Sequence, residues 1–474
     1  MLHHGERVVA GPRSGLRAWL QTKGILFRDD VAVGSPDLAR IGLIGLALAI
    51  QAIVLFSPGH FRPAPEAYFA VLVAGGTLAS IGLCLAATMP IRQLLSVRAR
   101  QLLAAAALAT LVILPVIGVW HGSLGIGHII GGSTYSNDGA VMDLYAAEQV
   151  RHGHNPYRKT NIVLALAHVD APSTTTTPLM RGQFAGARSY PSSEAVQQVF
   201  MNVQRYRPRT IPPEFESKYN YPSGSFLFIL PFVWLGLHDM RFLYALFAIL
   251  MGAYICWRLP RSLRLLAPLI VLGNVPLIIL TAGGQPDPMY GFFLMVGFAE
   301  WASPRLSPAF MGVAIGTKQL AWFFLPFYLL LVARELGWRE AARRTGIMAG
   351  VFGVMNLPFI LQSPSSYISS ISGPMADPMF PLGIGAIALF VSNVLPMLPK
   401  VAFTVLELSS WLGGALASAR SRYLTAGSGA VLAALPLFFA WRSLVNYFYL
   451  IPFIALAVAL AEPAQRRLLR RPHA

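Results

Sequence analysis

Apolar stretches close to the 20 or so residues that a helix needs to cross a bilayer recur along the whole of this chain. They fall at residues 38–58, 68–89, 102–120, 241–258, 263–282, 288–304, 308–333, 345–363, 401–418, 423–440 and 443–461. Two more, at 223–237 and 382–397, are shorter or broken by Pro and Gly. Lipid offers no partner to a backbone N–H or C=O, so segments of this kind must satisfy themselves as helices. The sequence therefore predicts an all-α polytopic membrane protein. A hydrophobic content of 55%, only 12% charge and a mean hydropathy of +0.57 exclude a soluble domain of this size. No cleavable signal peptide is expected, because the first 37 residues are polar and basic and the first apolar run is of full spanning length.

The net charge of +17 would fit a nucleic-acid partner if the cations lay on one surface. Instead the arginines sit in short connections between apolar runs, as cytoplasmic loops require. Arg7, Arg13, Arg17, Lys23 and Arg28 precede the first run, and Arg92, Arg98 and Arg100 follow the second. Arg258, Arg261 and Arg264 form a third group, and Arg334, Arg339, Arg343 and Arg344 a fourth. Arg420 with Arg422, and the tail Arg466, Arg467, Arg470 and Arg471, complete the set. All become cytoplasmic together if 223–237 and 382–397 stay in the outer interface and if 308–333 crosses twice, turning near Lys318. That arrangement predicts about 12 crossings in a transmembrane domain over 38–462. A cytoplasmic segment at 1–37 and a basic cytoplasmic tail at 463–474 flank it, in a bacterial plasma membrane. Cys84 and Cys256 both lie in apolar runs and read as small core residues.

The same topology gathers the chemistry on one outer face. A polar loop over 121–240 contains Asp138, Asp143 and Glu148, and Gly283-Gly284-Gln285-Pro286-Asp287 forms a turn on the same side. Lys318, the 364–382 loop with Asp377, and Trp441-Arg442 join them. Carboxylates and cations at a bilayer edge are costly unless water, an ion or a reaction keeps them there. Together they can grip a phosphate and leave one carboxylate for proton transfer. Residues 138–152 have the pattern of a short interfacial helix, with Leu144, Ala147 and Val150 toward the membrane and Asp143 toward water. His152-Gly153-His154-Asn155-Pro156-Tyr157 reads as its stop and a turn. The stretch 172–210, rich in Pro and Thr, reads as partly unstructured in the absence of substrate. His152 and His154 have no evident further ligand, so a polar loop is the expectation there rather than zinc.

The order of these pieces carries a resemblance. Asp138-GAVMDLYAAEQVRHGHNP-Tyr157, then the Tyr219-Asn220-Tyr221-Pro222 segment, then Gly283–Asp287, then MGVAIGTKQLAWFF around Lys318, resembles the glycosyltransferase C superfamily. The similarity is to family 87-like mannosyltransferases that use polyprenyl-phosphomannose, and it covers roughly 130–335 plus 441–449. Two spans precede the one that enters the loop, where such proteins often have one, and Ser223 stands where they carry a second proline. The resemblance implies inverting transfer of mannose or a similar hexose from a polyprenyl-phosphate donor to a hydroxyl on a lipid or glycan acceptor. Asp138 matches the general-base position, with Asp143 second. Lys318 and Arg442 would hold the phosphate, and Gln285, Asp287, Tyr157 and Tyr221 would line the substrate site. No organic cofactor is implied; a divalent cation on Asp287 stays open. Two other classes compete, an O-antigen ligase or polymerase and a lipid or sugar transporter. A transporter would favour charges at the midplane and mirrored halves, and neither is present in the sequence.

Overall fold

The computed structural model describes residues 36–57, 66–130, 135–187, 189–206, 211–421 and 424–469. The basic groups at Arg7–Arg28, Arg422, Arg470 and Arg471 lie outside the described residues. The protein is an all-α membrane protein. Its long helices are α1 (Pro36–Phe56), α2 (Ala67–Thr88) and α3 (Val97–Ile130), followed after the polar loop by further spans. Within the loop, α4 (Asp138–Arg151) and α5 (Ile162–His168) precede α6 (Gly224–Trp234), and α7 (Arg241–Arg258) returns into the bundle. Next come α8 (Val275–Ala282), α9 (Asp287–Ala299), α10 (Leu306–Thr317), α11 (Leu325–Leu336) and α12 (Trp338–Gln362). The last two are α13 (Lys400–Arg420) and α14 (Ile451–Leu469).

Among the described residues, eight helices are long and apolar enough to cross a membrane, or nine if the bent pair Arg261–Leu272 and Val275–Ala282 counts as one. That falls short of the 12 crossings expected from the sequence. The difference lies in α9, α10 and the segment Ala426–Phe438, which are apolar but only 13, 12 and 13 residues long. α9 and α10 pack on each other, and α9 lies against α14, where Leu294, Phe298, Ala314, Leu456 and Ala457 are fully buried. α12 and α13 stand at the outside with most of their side chains unburied by protein. Helices wrapped by other helices need no lipid on their flanks, so their length is freed from the bilayer thickness.

Polar contacts divide the bundle into two ends. At one, Arg258 pairs with Glu300, Gln465 donates to Glu300 (2.8 Å), and the fully buried Arg344 binds the Trp301 carbonyl. The other end carries the loop and the 283–287 turn, where the Ser136 amide bonds the Gly283 carbonyl at 3.0 Å. Also at that end, Leu382–Gly383 and Arg442–Ser443 pair as a parallel two-residue ladder. The loop is not an appendage. α4, α5, α6 and the start of α7 share one core containing Leu144, Ala147, Phe226, Ile229 and Tyr244. Leu144 and Ala147 therefore face protein rather than membrane, and Asp143 is fully buried instead of facing water. The expectation of an amphipathic interfacial helix fails because α6 covers the exposed side of α4. The 172–210 stretch also has more order than expected, with short turns at Ser173–Thr175 and Gly182–Phe184 and a helix at Ser193–Tyr206.

Candidate active site

Asn137 starts the site. Its side chain caps α4 by accepting the Ala140 amide (3.1 Å), while its amide donates to Gln285 (2.6 Å). Gln285 in turn donates to Asp287 at 2.8 Å. Gly284 sits at φ 92°, in the left-handed region that favours glycine, and this turns Gln285 toward the loop. Asp287 opens α9 and is completely buried. Its carboxylate accepts from Gln285, from Asn446 (2.8 Å) and from the Lys318 ammonium. Lys318 follows the last residue of α10 in extended conformation, where the run 308–333 breaks before a 3-10 turn at Gln319–Phe324. It is not a lone lysine. Its ammonium pairs with Asp287 and lies over the rings of Tyr221 (4.8 Å) and Tyr290 (5.7 Å).

Both Asp287 oxygens are met by donors, an ammonium among them. Such a carboxylate is satisfied as an anion by the protein itself, which argues against the cation site the sequence left open there. The 219–223 segment is fixed on three sides. Gln319 donates to the Asn220 carbonyl (2.6 Å), Tyr157 to the Tyr221 carbonyl (2.8 Å), and the Ser223 amide to Asn356 (2.7 Å).

The two aspartates of α4 occupy different surroundings. Asp138 is half-buried at the first turn and accepts from the Thr177 hydroxyl (2.5 Å). Asp143 accepts from the Tyr219 hydroxyl (2.6 Å), and its second oxygen is buried without a hydrogen bond. Burial pushes its pKa up to about 7, against the lowering effect of Tyr219 and Lys318. Thr177 links Asp138 to a neighbouring cavity of about 300 Å³, because its carbonyl accepts the amide of Glu216 in the cavity wall (2.9 Å). Tyr157, Arg158, Arg181, Lys218, Tyr219 and Asp377 also line that space. Asp377 is held by Arg181 (2.7 Å) and Lys218 (3.4 Å), and burial pushes the Glu216 carboxyl up to about 7.

Of the residues singled out in the sequence, Gln285, Asp287, Lys318, Tyr221 and Tyr157 join in one network. Asp138 adjoins it through Asn137, and a Cβ on Gly139 would meet the Tyr221 hydroxyl oxygen at 2.8 Å. Asp143 enters through Tyr219. Arg442 stands apart in bonding: it is half-buried, contacts the Met379 sulfur (3.5 Å), and makes no ion pair among the described residues. It lies within electrostatic reach of Tyr190 and Tyr447, as Asp138 does. Sequence reasoning gave no role to Asn137, Thr177, Asn356 and Asn446, and named Tyr219 only as part of the 219–222 segment. Asn137 carried a signal as a cap residue before an acidic first turn.

A 60-residue stretch of the chain is 38% identical to the human Dol-P-Man:Man(5)GlcNAc(2)-PP-Dol alpha-1,3-mannosyltransferase. The chain is similar there to a mannosyltransferase. That stretch spans 13% of this chain and 14% of the human protein. No family description matches the chain, and no solved structure matches it.

Proposed function

We propose that this protein is a membrane glycosyltransferase of the glycosyltransferase C type. It moves mannose or a similar hexose, with inversion, from a polyprenyl-phosphate donor to a hydroxyl of a lipid or glycan acceptor. The observation that carries the reading is the pairing of a half-buried Asp138 at the head of α4 with a cationic and aromatic floor around Lys318 and Tyr221. Asp138 takes the acceptor O–H proton as that oxygen attacks the anomeric carbon. The carbon–oxygen bond to phosphate breaks, and its electron pair leaves with the polyprenyl phosphate.

Asp143 is the poorer base, since it is fully buried and already bonded to Tyr219. Arg442, without an ion pair among the described residues, meets the departing phosphate. Lys318, held by Asp287, supplies positive potential from below and positions Tyr221. Gln285 and Tyr157 hold the two walls in place. The acceptor approaches from the cavity beyond Thr177. We count α9, α10 and Ala426–Phe438 as traverses beside the longer spans, for twelve crossings in all. We place the loop on the outer face of a bacterial plasma membrane and both termini in the cytoplasm.

Purified protein in lipid, given a polyprenyl-phosphate sugar and hydroxyl acceptors, tests this by product mass. Asp138→Asn should fold and bind donor while transfer falls about 10²–10⁴-fold, the usual loss with a general base. Normal turnover by Asp138→Asn would overturn the assignment. A dead Asp143→Asn beside it would transfer the role by five residues.

A further inference from the structure

At the far end of α4, away from Asp138, three side chains from separate segments converge. Glu148 lies in the last turn of α4, His168 ends α5, and His238 precedes α7. The Glu148 Oε1 atom is 3.6 Å from His238 Nδ1 and 3.9 Å from His168 Nε2, and the three atoms all lie within 4.8 Å of one another. Glu148 is 6% exposed, and this oxygen is buried with no hydrogen bond. The histidines are open to solvent, their rings 6.2 Å apart and nearly perpendicular, so each can present a lone pair without clashing. A carboxylate oxygen removed from water and left without a donor is unfavourable unless a cation meets it. Arg151 reaches only the other oxygen, at 3.7 Å, and His152 stands 4.0 Å from that same atom.

We propose that Glu148, His168 and His238 bind a divalent transition cation of the zinc type. Two imidazoles and one carboxylate are a recurrent ligand set for zinc, whose bonds of about 2.0–2.2 Å put tetrahedral donors roughly 3.3–3.5 Å apart. The observed separations of 3.6 and 3.9 Å need only small rotations of two exposed rings. The fourth position goes to water or to His152. The ion joins three segments at a structurally consequential point. The His238 carbonyl accepts from the Tyr135 hydroxyl (3.1 Å), and Tyr135 lies three residues before Asp138. Metal at Glu148 therefore ties the tail of α4 to the segment that leads into its head. This role is independent of whether the protein transfers a sugar.

The test uses the full chain in detergent, with any affinity tag removed, stripped with chelator and titrated with zinc against a chromophoric competitor. Wild type should take up about one zinc per chain, with the thermal midpoint rising on loading. His168→Ala with His238→Ala should lose stoichiometric zinc and at least about 100-fold in affinity, and should lose the thermal shift. His154→Ala, outside the cluster, should bind as wild type does. Cobalt(II) bound to the unmutated protein should show the visible absorption of a four-coordinate site, a readout that does not depend on any variant folding. Failure of wild type to retain zinc, full retention by the double variant, or a purely octahedral cobalt spectrum would each overturn the proposal and leave an imidazole–carboxylate cluster that binds no metal.

Discussion

Asp287 shows what a single buried charge demands of its neighbours. It lies at no exposure, and its partners are its near neighbour Gln285 and the distant Lys318 and Asn446. Removing the lysine strands the carboxylate. Lys318→Met should lower stability by roughly 3–5 kcal/mol, while adding Asp287→Asn should restore much of it; thermal unfolding in detergent reads both. A fully stable single variant would contradict the buried pair. Asp143 adds a pH dependence. Its pKa rises from 3.8 to about 7 by burial, so the folded protein keeps a proton that the unfolded chain gives up. That contribution is complete below about pH 4 and is lost as pH rises through about 7. Asp143→Asn has no such proton, so its thermal midpoint should gain on wild type between about pH 4 and 7. A constant gap across that range would place the proton elsewhere. Asp138, Lys318 and Asp287 were visible in the sequence because charge is rare near lipid. Among their partners, Thr177 and Asn446 were not, since a lone hydroxyl or amide is unremarkable until the fold sets it against a charge.

At the scale of elements, helix caps and close approaches decide how the loop sits on the bundle. α6 starts at Gly224, where a Cβ would lie 2.6 Å from the Gly316 carbonyl and 2.7 Å from the Thr317 hydroxyl. That glycine lets the loop core rest directly on the end of α10, beside Lys318. Gly224→Ala should therefore destabilise the protein and displace the Tyr219–Ser223 segment. Midpoints should fall and proteolysis of the loop should quicken, by an overpacking penalty of about 1–3 kcal/mol. An unchanged protein would mean that α6 and α10 can part at little cost. The long spans and the loop helix starting at Asp138 were legible from hydropathy and capping. The burial of α4 was not, because its periodicity marks one apolar stripe and cannot say whether a membrane or another helix covers it. α9 and α10 count as crossings in the sequence because 288–304 is an apolar run and 308–333 reads as crossing twice about a turn near Lys318.

For the whole molecule, the orientation we propose puts the arginine clusters in the cytoplasm and the loop outside. A reporter inserted near Arg339 should read cytoplasmic and one near Ser173 external. A cytoplasmic reading at Ser173 would separate the loop from any donor presented on the outside. The helix lengths carry one more consequence. At 1.5 Å per residue, α9 and α10 rise only about 18–20 Å, against roughly 30 Å of hydrocarbon. With the Glu300 end set at one membrane surface, as in the orientation we propose, they would stop some 10 Å short of the other, with Asp287 and Lys318 at that stopping point. The floor of the proposed site would then be a well sunk below the headgroups. An amphiphile that fills it must pull its polar end down past its neighbours while its tail stays in the oil, so the thickness of the surrounding bilayer sets how far each molecule has to descend.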